Sequence, residues 1–205
     1  MKKFTLSVLA MLLLAVAWPQ TAVNPFLKSE VTSPQVFLGL STGIDNMIGI
    51  VGPQLEVVVI DKLIVGGGIG LSSWGTKWAV NLQFYPNGWH KFYVKTGYSK
   101  NSGLEEFETE LEIESGNTEM IMMDLKPVGN LFFTAGYAWK MGKRNKFYLE
   151  GGYALPLIAE DYYVLYDETI KLSQTSEQVL RVMRPGGLVI ALGFNFAIAS
   201  RKIIN

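Results

Sequence analysis

The sequence contains no cysteine and a single histidine, His90. Without cysteine the chain has no disulfide bonds, thiolate metal sites or cysteine nucleophiles, and it lacks the lipid-bearing cysteine of bacterial lipoproteins. One histidine leaves little scope for a hydrolytic His-Ser or His-Asp site. We therefore expect a chain that is not an enzyme and that carries no cofactor and no metal.

Charge is also scarce, and it is balanced. Only 18% of residues are charged, with 18 basic side chains against 18 acidic ones. Because the chain has no net charge, it has no net field that would attract nucleic acid, and we expect no nucleic-acid partner. The hydrophobic fraction of 49% in 205 residues is sufficient for the core of one domain.

Long hydrophobic runs are missing except at the N-terminus. There Lys2 and Lys3 precede an uncharged run over residues 4–17, which ends in the small-residue pattern "AVA". This run is shorter than the roughly 20 residues of a membrane-spanning helix, but it has the length and flanks of a secretory signal peptide. We expect a signal peptide over residues 1–22, followed by a leader over residues 23–34.

The mature chain is dominated by alternation of large apolar residues with small or polar ones. A period of two is typical of a β-strand whose two faces meet different surroundings. Charged residues share one face with glycine and alanine, while the other face is uniformly apolar, as in a barrel with lipid outside and a polar lumen. The alternating segments are residues 36–42, 54–59, 63–71, 77–84, 92–99, 131–140, 147–153 and 188–198.

The lengths of the connections agree with this interpretation. The second, fourth and sixth are short ("DK", "PNGWHK" and "MGKRN"), whereas the first, fifth and seventh are long. Outer-membrane barrels have short periplasmic turns and longer external loops, which follow the same parity. The sequence predicts an all-β fold, an eight-stranded antiparallel transmembrane β-barrel over residues 35–200 with a tail over residues 201–205.

The segment "FFTAGYAWKMGKRNKFYLEGGYALPL" and the final strand "LVIALGFNFAI" resemble the small outer-membrane β-barrel domain proteins of Bacteroidetes, which are similar in architecture to OmpA-type barrels. The resemblance covers residues 35–200 and rests on glycine and aromatic patterns. It implies an outer-membrane location and no particular activity.

In "LIVGGGIGLSSWG", four glycines within the five residues 66–70 first suggest a phosphate-binding loop. A dinucleotide fingerprint needs a third glycine at a fixed spacing and a following helix, and neither is present. Gly66, Gly68 and Gly70 instead occupy every second position, on the predicted lumen side of a strand. We expect them to leave space for aromatic side chains from neighbouring strands.

The predicted lumen contains charged side chains that can form ion pairs. An eight-stranded barrel is just wide enough for side chains to fill it. Two interpretations stay open, a structural salt-bridge network or a narrow ion or proton path. The candidate residues are Glu56, Lys77, Lys95, Lys140 and Glu150.

The longest external connection contains an acidic alternating run that ends in the turn signal "SGN". We expect a hairpin that projects above the membrane, either as a solvated ribbon or as a surface for a protein partner or for cations that bridge to lipopolysaccharide. A ten-stranded barrel would turn these carboxylates into the lumen without enough lysines to pair them, which favours eight strands. The acidic residues are Glu106, Glu108, Glu110, Glu112 and Glu114.

These patterns favour a non-enzymatic barrel in the cell outer membrane, with a structural or interaction role through its external loops. Its expected partners are membrane lipid, lipopolysaccharide and an unidentified protein at the loops. Two alternatives are a narrow porin-like channel and an accessory component of a secretion system.

Overall fold

Eight long antiparallel strands form a closed barrel in the order β1-β11-β9-β8-β5-β4-β3-β2. The structure is a computed structural model and describes residues 30–87, 89–157, 162–167 and 169–204. The predicted signal peptide lies outside the described residues. The barrel strands are β1 (Glu30–Ile44), β2 (Val51–Ile60), β3 (Leu63–Ser72), β4 (Gly75–Phe84), β5 (Lys91–Asn101), β8 (Gly129–Met141), β9 (Asn145–Pro156) and β11 (Gly187–Ile204).

The predicted fold is confirmed in its class, strand number and direction. Strand β1 begins before residue 35 and β11 continues past residue 200, so both extend beyond the expected barrel bounds. The contacts described below lie within Ser33–Arg201, which forms one compact unit.

Side chains alternate across the barrel wall as the period-two pattern predicts. In β4, for example, Lys77, Ala79, Asn81 and Gln83 are buried, while the residues between them are exposed. The same alternation runs through β2, β8 and β9. The barrel therefore has a mixed polar interior and an apolar exterior.

The lengths of the connections at the two ends of the barrel follow the predicted alternation of short and long. At one end, called the turn end, β2 passes to β3 through Asp61 and Lys62, β4 to β5 through residues 85–90, and β8 to β9 through residues 142–144. The opposite end, called the loop end, contains the first, third, fifth and seventh connections. Of these, the fifth and seventh are the longest and contain secondary structure of their own.

A second, three-stranded sheet forms at the loop end in the order β10-β7-β6. The predicted acidic hairpin is its main part, with strands β6 (Leu104–Glu112) and β7 (Thr118–Leu125). The seventh connection supplies β10 (Tyr163–Leu165) and the helix α1 (Gln174–Met183). Because the hairpin pairs in this separate sheet and not in the barrel wall, the count of eight barrel strands is confirmed.

The loop-end sheet and α1 share a hydrophobic core, and we call them together the loop-end subdomain. Its helix begins at the N-cap Ser173, whose hydroxyl accepts a hydrogen bond from the Ser176 N–H. Trp74, from the short third connection, packs into the same core and is fully buried. The other buried members are Leu111, Ile121, Met123, Leu125, Val128, Leu172 and Leu180.

No helix among the described residues has the length and apolar character needed to cross a membrane.

Candidate functional site

The centre of the barrel interior contains two buried ion pairs. The Lys146 Nζ lies 2.6 Å from Glu56 Oε2, and both side chains are at most 2% exposed. The Lys95 Nζ lies 2.5 Å from Glu150 Oε2, and these two side chains are also at most 2% exposed. Charges removed from water need such partners, because an unpaired buried charge costs several kcal/mol, about 3–5.

Hydrogen bonds extend these pairs into a network of polar side chains. Gln83 Nε2 donates to Glu56 Oε1 at 2.9 Å, and the Lys146 ammonium donates to the Tyr85 hydroxyl at 3.0 Å. On the other side, the Tyr93 hydroxyl donates to Glu150 Oε2 at 2.6 Å. Each ion pair with its hydrogen bonds therefore links strands that are not neighbours in the barrel wall.

Lys77 forms a separate contact nearer the loop end. Its ammonium donates to the backbone carbonyl of Asn46 at 3.0 Å and lies 5.0 Å from the centre of the Phe132 ring. The Asp45 carboxylate is 4.0 Å away. Lys77 therefore holds the first loop-end connection, over residues 45–50, against the barrel interior.

Of the five predicted lumen residues, the structure brings Glu56, Lys95 and Glu150 together at the centre of the interior. Lys77 lies apart from them, nearer the loop end, and Lys140 is not part of the group. Lys140 has inward parity, but it is the last residue but one of β8, so its long side chain reaches solvent at the turn end. The lysine that completes the network is Lys146, which the sequence analysis missed. Lys146 directly follows the cationic turn "MGKRN", where a solvated lysine is expected. The only sign that its side chain points inward is that it alternates in step with Tyr148 and Glu150 on β9.

Glycines on the interior face make room for neighbouring groups, but the groups next to the glycines of β3 are not the aromatic rings that the sequence predicted. A methyl group at Gly68 would lie 2.8 Å from Ile48 Cγ2, and one at Gly66 would lie 3.0 Å from Asn81 Nδ2. The glycines of β3 therefore accommodate the first loop-end connection and polar side chains, and not aromatic rings. Aromatic rings are accommodated by Gly136 and Gly193 on β8 and β11.

Both ends of the interior are filled by apolar side chains. At the loop end, Met47 and Ile48 are buried in a cluster with Phe132. At the turn end, Phe37 and Tyr85 are buried, and the Trp89 ring lies 5.6 Å from Phe37. Buried apolar side chains thus lie toward both ends of the interior, next to the polar groups.

The acidic residues of the hairpin are split between two environments. Glu106, Glu108, Glu110 and Glu114 are exposed, whereas Glu112 is half-buried and its carboxylate accepts a hydrogen bond from the Ser173 hydroxyl at 3.2 Å. The hairpin is therefore not a free ribbon, because the C-terminal end of β6 is fixed to the start of α1. Within the described part of the chain, no group of three His, Cys, Asp or Glu side chains is arranged to hold a metal ion.

His90 lies in the turn-end connection between β4 and β5, between Trp89 and Lys91. Partial burial, with smaller contributions from Lys91 and Lys140, holds the pKa of its imidazole below the ordinary value of 6.5. The Trp89 ring packs edge-on against it at 5.2 Å. The imidazole is therefore neutral at pH 7, and the cations near it are Lys91 and Lys140.

No protein-family model and no curated protein matches the sequence. The functional interpretation therefore depends on the geometry of the barrel, its filled interior and the loop-end subdomain.

Proposed function

We propose that the protein is a non-enzymatic outer-membrane β-barrel that holds the loop-end subdomain on the outer side of the membrane for interaction with a partner. The observation that carries this proposal is the apolar exterior of the barrel, which continues around every strand. Each of the following residues points outward and is at least 42% exposed: Leu38, Val59, Val65, Val80, Val94, Phe133, Leu149 and Ile190.

In a water-soluble protein, an apolar surface of this extent would lead to aggregation. In a bilayer the same surface is covered by acyl chains, and closure of the barrel leaves no unpaired strand edge in the hydrocarbon. The resemblance to small Bacteroidetes barrels is part of the same proposal, as are membrane lipid and lipopolysaccharide as its surroundings.

Aromatic side chains on the exterior support a membrane interface at the turn end. Phe84, Phe92, Tyr137 and Trp139 are outward and exposed, and all four lie close to the turn end. Such residues concentrate at the level of lipid headgroups. The short connections at the same end support its placement in the periplasm, with the loop end outside the cell.

The filled interior favours a structural or interaction role over a channel. Conduction needs a continuous aqueous path, whereas here the lysine and glutamate charges are buried and paired with each other. Buried apolar side chains lie toward both ends of the interior, Met47 and Ile48 at the loop end and Phe37 at the turn end. The elaborated part of the molecule is the loop-end subdomain, which is where a partner would bind.

Two measurements test the proposal. The full chain is expected to fractionate with the outer membrane and to migrate faster on gels without heating than after heating, as folded barrels do. In planar bilayers it is expected to give no discrete conductance steps. A soluble periplasmic monomer would contradict the membrane assignment, and regular single-channel currents would contradict the sealed interior.

A further inference from the structure

Strand β6 is an edge strand of the loop-end sheet. It pairs with β7 on one side, and on its other side the described residues provide a partner only at its C-terminal end. There Ile113 bridges to Leu172, and the Ser173 N–H donates to the Glu112 carbonyl at 2.9 Å. The part of β6 before Glu112 has an open edge within the described part of the chain.

The backbone groups that face this open edge belong to the glutamates. In an antiparallel ladder, alternate residues direct their N–H and C=O groups to opposite sides of the strand. Glu112 directs both groups away from β7, since its N–H donates to the Ser176 hydroxyl at 2.9 Å and its carbonyl accepts from Ser173. By the same alternation, Glu110 and Glu108 direct their backbone groups toward the open edge.

The side chains at this edge determine which strand can add to it. Glu108 and Glu110 are exposed on one face of β6. Glu106 is exposed as well, in the adjoining β-bulge, where its N–H donates to Asp124 Oδ1 at 2.9 Å. The sequence has no lysine or arginine between Lys100 and Lys126. A second copy of β6 would place carboxylates opposite carboxylates, which is unfavourable. Charge thus excludes self-association at this edge and favours a basic strand.

The opposite face of β6 adds a second requirement. Phe107 and Thr109 alternate with the glutamates and are half-buried at the border of the subdomain core. A strand added beside them would continue that core with apolar side chains. The edge therefore suits a strand with alternating basic and apolar residues.

We propose that the edge of β6 over residues 106–110 binds an extended segment of another polypeptide in which Lys or Arg alternates with apolar residues, by addition of a strand to the loop-end sheet. Backbone hydrogen bonds to Glu108 and Glu110 would give affinity, and ion pairs to the three carboxylates would give specificity. This inference deepens the proposed function and rests on it for the exposure of the surface to outside partners.

The test uses the purified full chain in nanodiscs made of zwitterionic lipid and a fluorescent peptide, KVKVKVK, measured by anisotropy. We expect saturable binding that weakens as salt is raised. The variant E106Q/E108Q/E110Q is expected to bind about tenfold more weakly, since three cross-strand charge pairs are lost. The matched control E114Q/E119Q/E177Q removes the same charge elsewhere on the subdomain and is expected to bind like the parent.

A second pair of probes tests the strand geometry. The peptide KVKPKVK, which keeps the charge but lacks a central N–H, is expected to lose most of the binding. The variant Glu110→Pro removes an edge-facing N–H together with one carboxylate, and it is expected to weaken binding of KVKVKVK more than Glu110→Gln, which removes the carboxylate alone. Equal binding of both peptides, equal loss in both triple glutamine variants, or no binding of KVKVKVK would overturn the inference. Because binding is measured on purified protein, a failure here is distinguishable from a failure of the outer-membrane assignment, which fractionation reports.

Discussion

Lys146 on β9 and Glu56 on β2 form an ion pair of 2.6 Å across the barrel interior. Replacing Lys146 with Met removes one partner and leaves the glutamate as an uncompensated buried charge. We expect the free energy of unfolding to fall by about 3–5 kcal/mol. Urea unfolding of the protein in lipid vesicles, followed by the loss of the heat-modifiable gel band, measures it.

The matched control for this pair removes both charges. In the double variant Lys146→Met with Glu56→Gln, no charge is left unpaired, and we expect most of the lost stability to return. A single Lys146→Met variant that is as stable as the parent would show that the interior does not depend on the pair.

Gly193 and Gly136 provide space for two interior tyrosines. A methyl group at Gly193 would lie 2.5 Å from Tyr148 Cζ, and one at Gly136 would lie 2.7 Å from Tyr93 Cζ. We expect Gly193→Ala and Gly136→Ala to lower the free energy of unfolding by about 1–3 kcal/mol each, because the rings must move in a filled interior. Gly151→Ala is the control, since its methyl group would lie 3.6 Å from the nearest atom, an ordinary contact. Equal effects at all three positions would contradict the packing described above.

Trp74, between β3 and β4, packs into the core of the loop-end subdomain. It is fully buried, and its Nε1 donates to the Lys126 carbonyl at 2.9 Å. We expect Trp74→Ala to destabilise the subdomain by about 3–5 kcal/mol, and Trp74→Phe to cost less because the ring volume is largely kept. Limited proteolysis is expected to cleave the fifth and seventh connections of Trp74→Ala while the barrel stays heat-modifiable. Protection equal to the parent would show that the subdomain folds without Trp74.

His90 is the sole histidine, so its titration can be followed without ambiguity by NMR. Burial and the adjacent lysines lower the pKa of its imidazole in the folded state, so we expect a midpoint below 6.5. Since the unfolded chain then binds the proton more readily, stability falls as the pH falls from 6.5 through the lowered folded-state pKa. Lys91→Gln is expected to move the midpoint back toward 6.5, and a parent midpoint at or above 6.5 would refute this account of the turn.

The barrel could be predicted from the sequence because its signals are local. Alternation in each strand is set by the two faces of the wall, and the length of each connection is readable in one dimension. The turn at Asp61 and Lys62 illustrates this, since the observed strands end directly on either side of it.

The interior was predicted less well, because parity gives direction but not depth. Lys140 and Lys146 pair with each other in register, yet Lys140 is exposed and Lys146 is fully buried. The tilt and stagger of the strands decide which of two inward-pointing residues lies deeper in the barrel. Neither quantity can be derived from a single sequence.

The loop-end subdomain was missed as a unit because its contacts are long-range. Leu111 and Leu180 share one core although they lie in different connections, and Trp74 comes from a third. One feature of the sequence pointed to the subdomain, namely the apolar face of the hairpin with Phe107 and Leu111. Such a face must be buried against another element.

The most direct test of the central claim uses the absence of cysteine, since single-cysteine variants carry one unique label site. Gln178→Cys lies on α1 at the loop end, and Lys143→Cys lies in a turn at the opposite end; both positions are exposed. In intact cells, a membrane-impermeant maleimide is expected to label Gln178→Cys, and to label Lys143→Cys only after the outer membrane is opened. Equal labelling of the two variants in intact cells, or labelling of neither until the outer membrane is opened, would contradict a barrel that spans the outer membrane with its loop end outside.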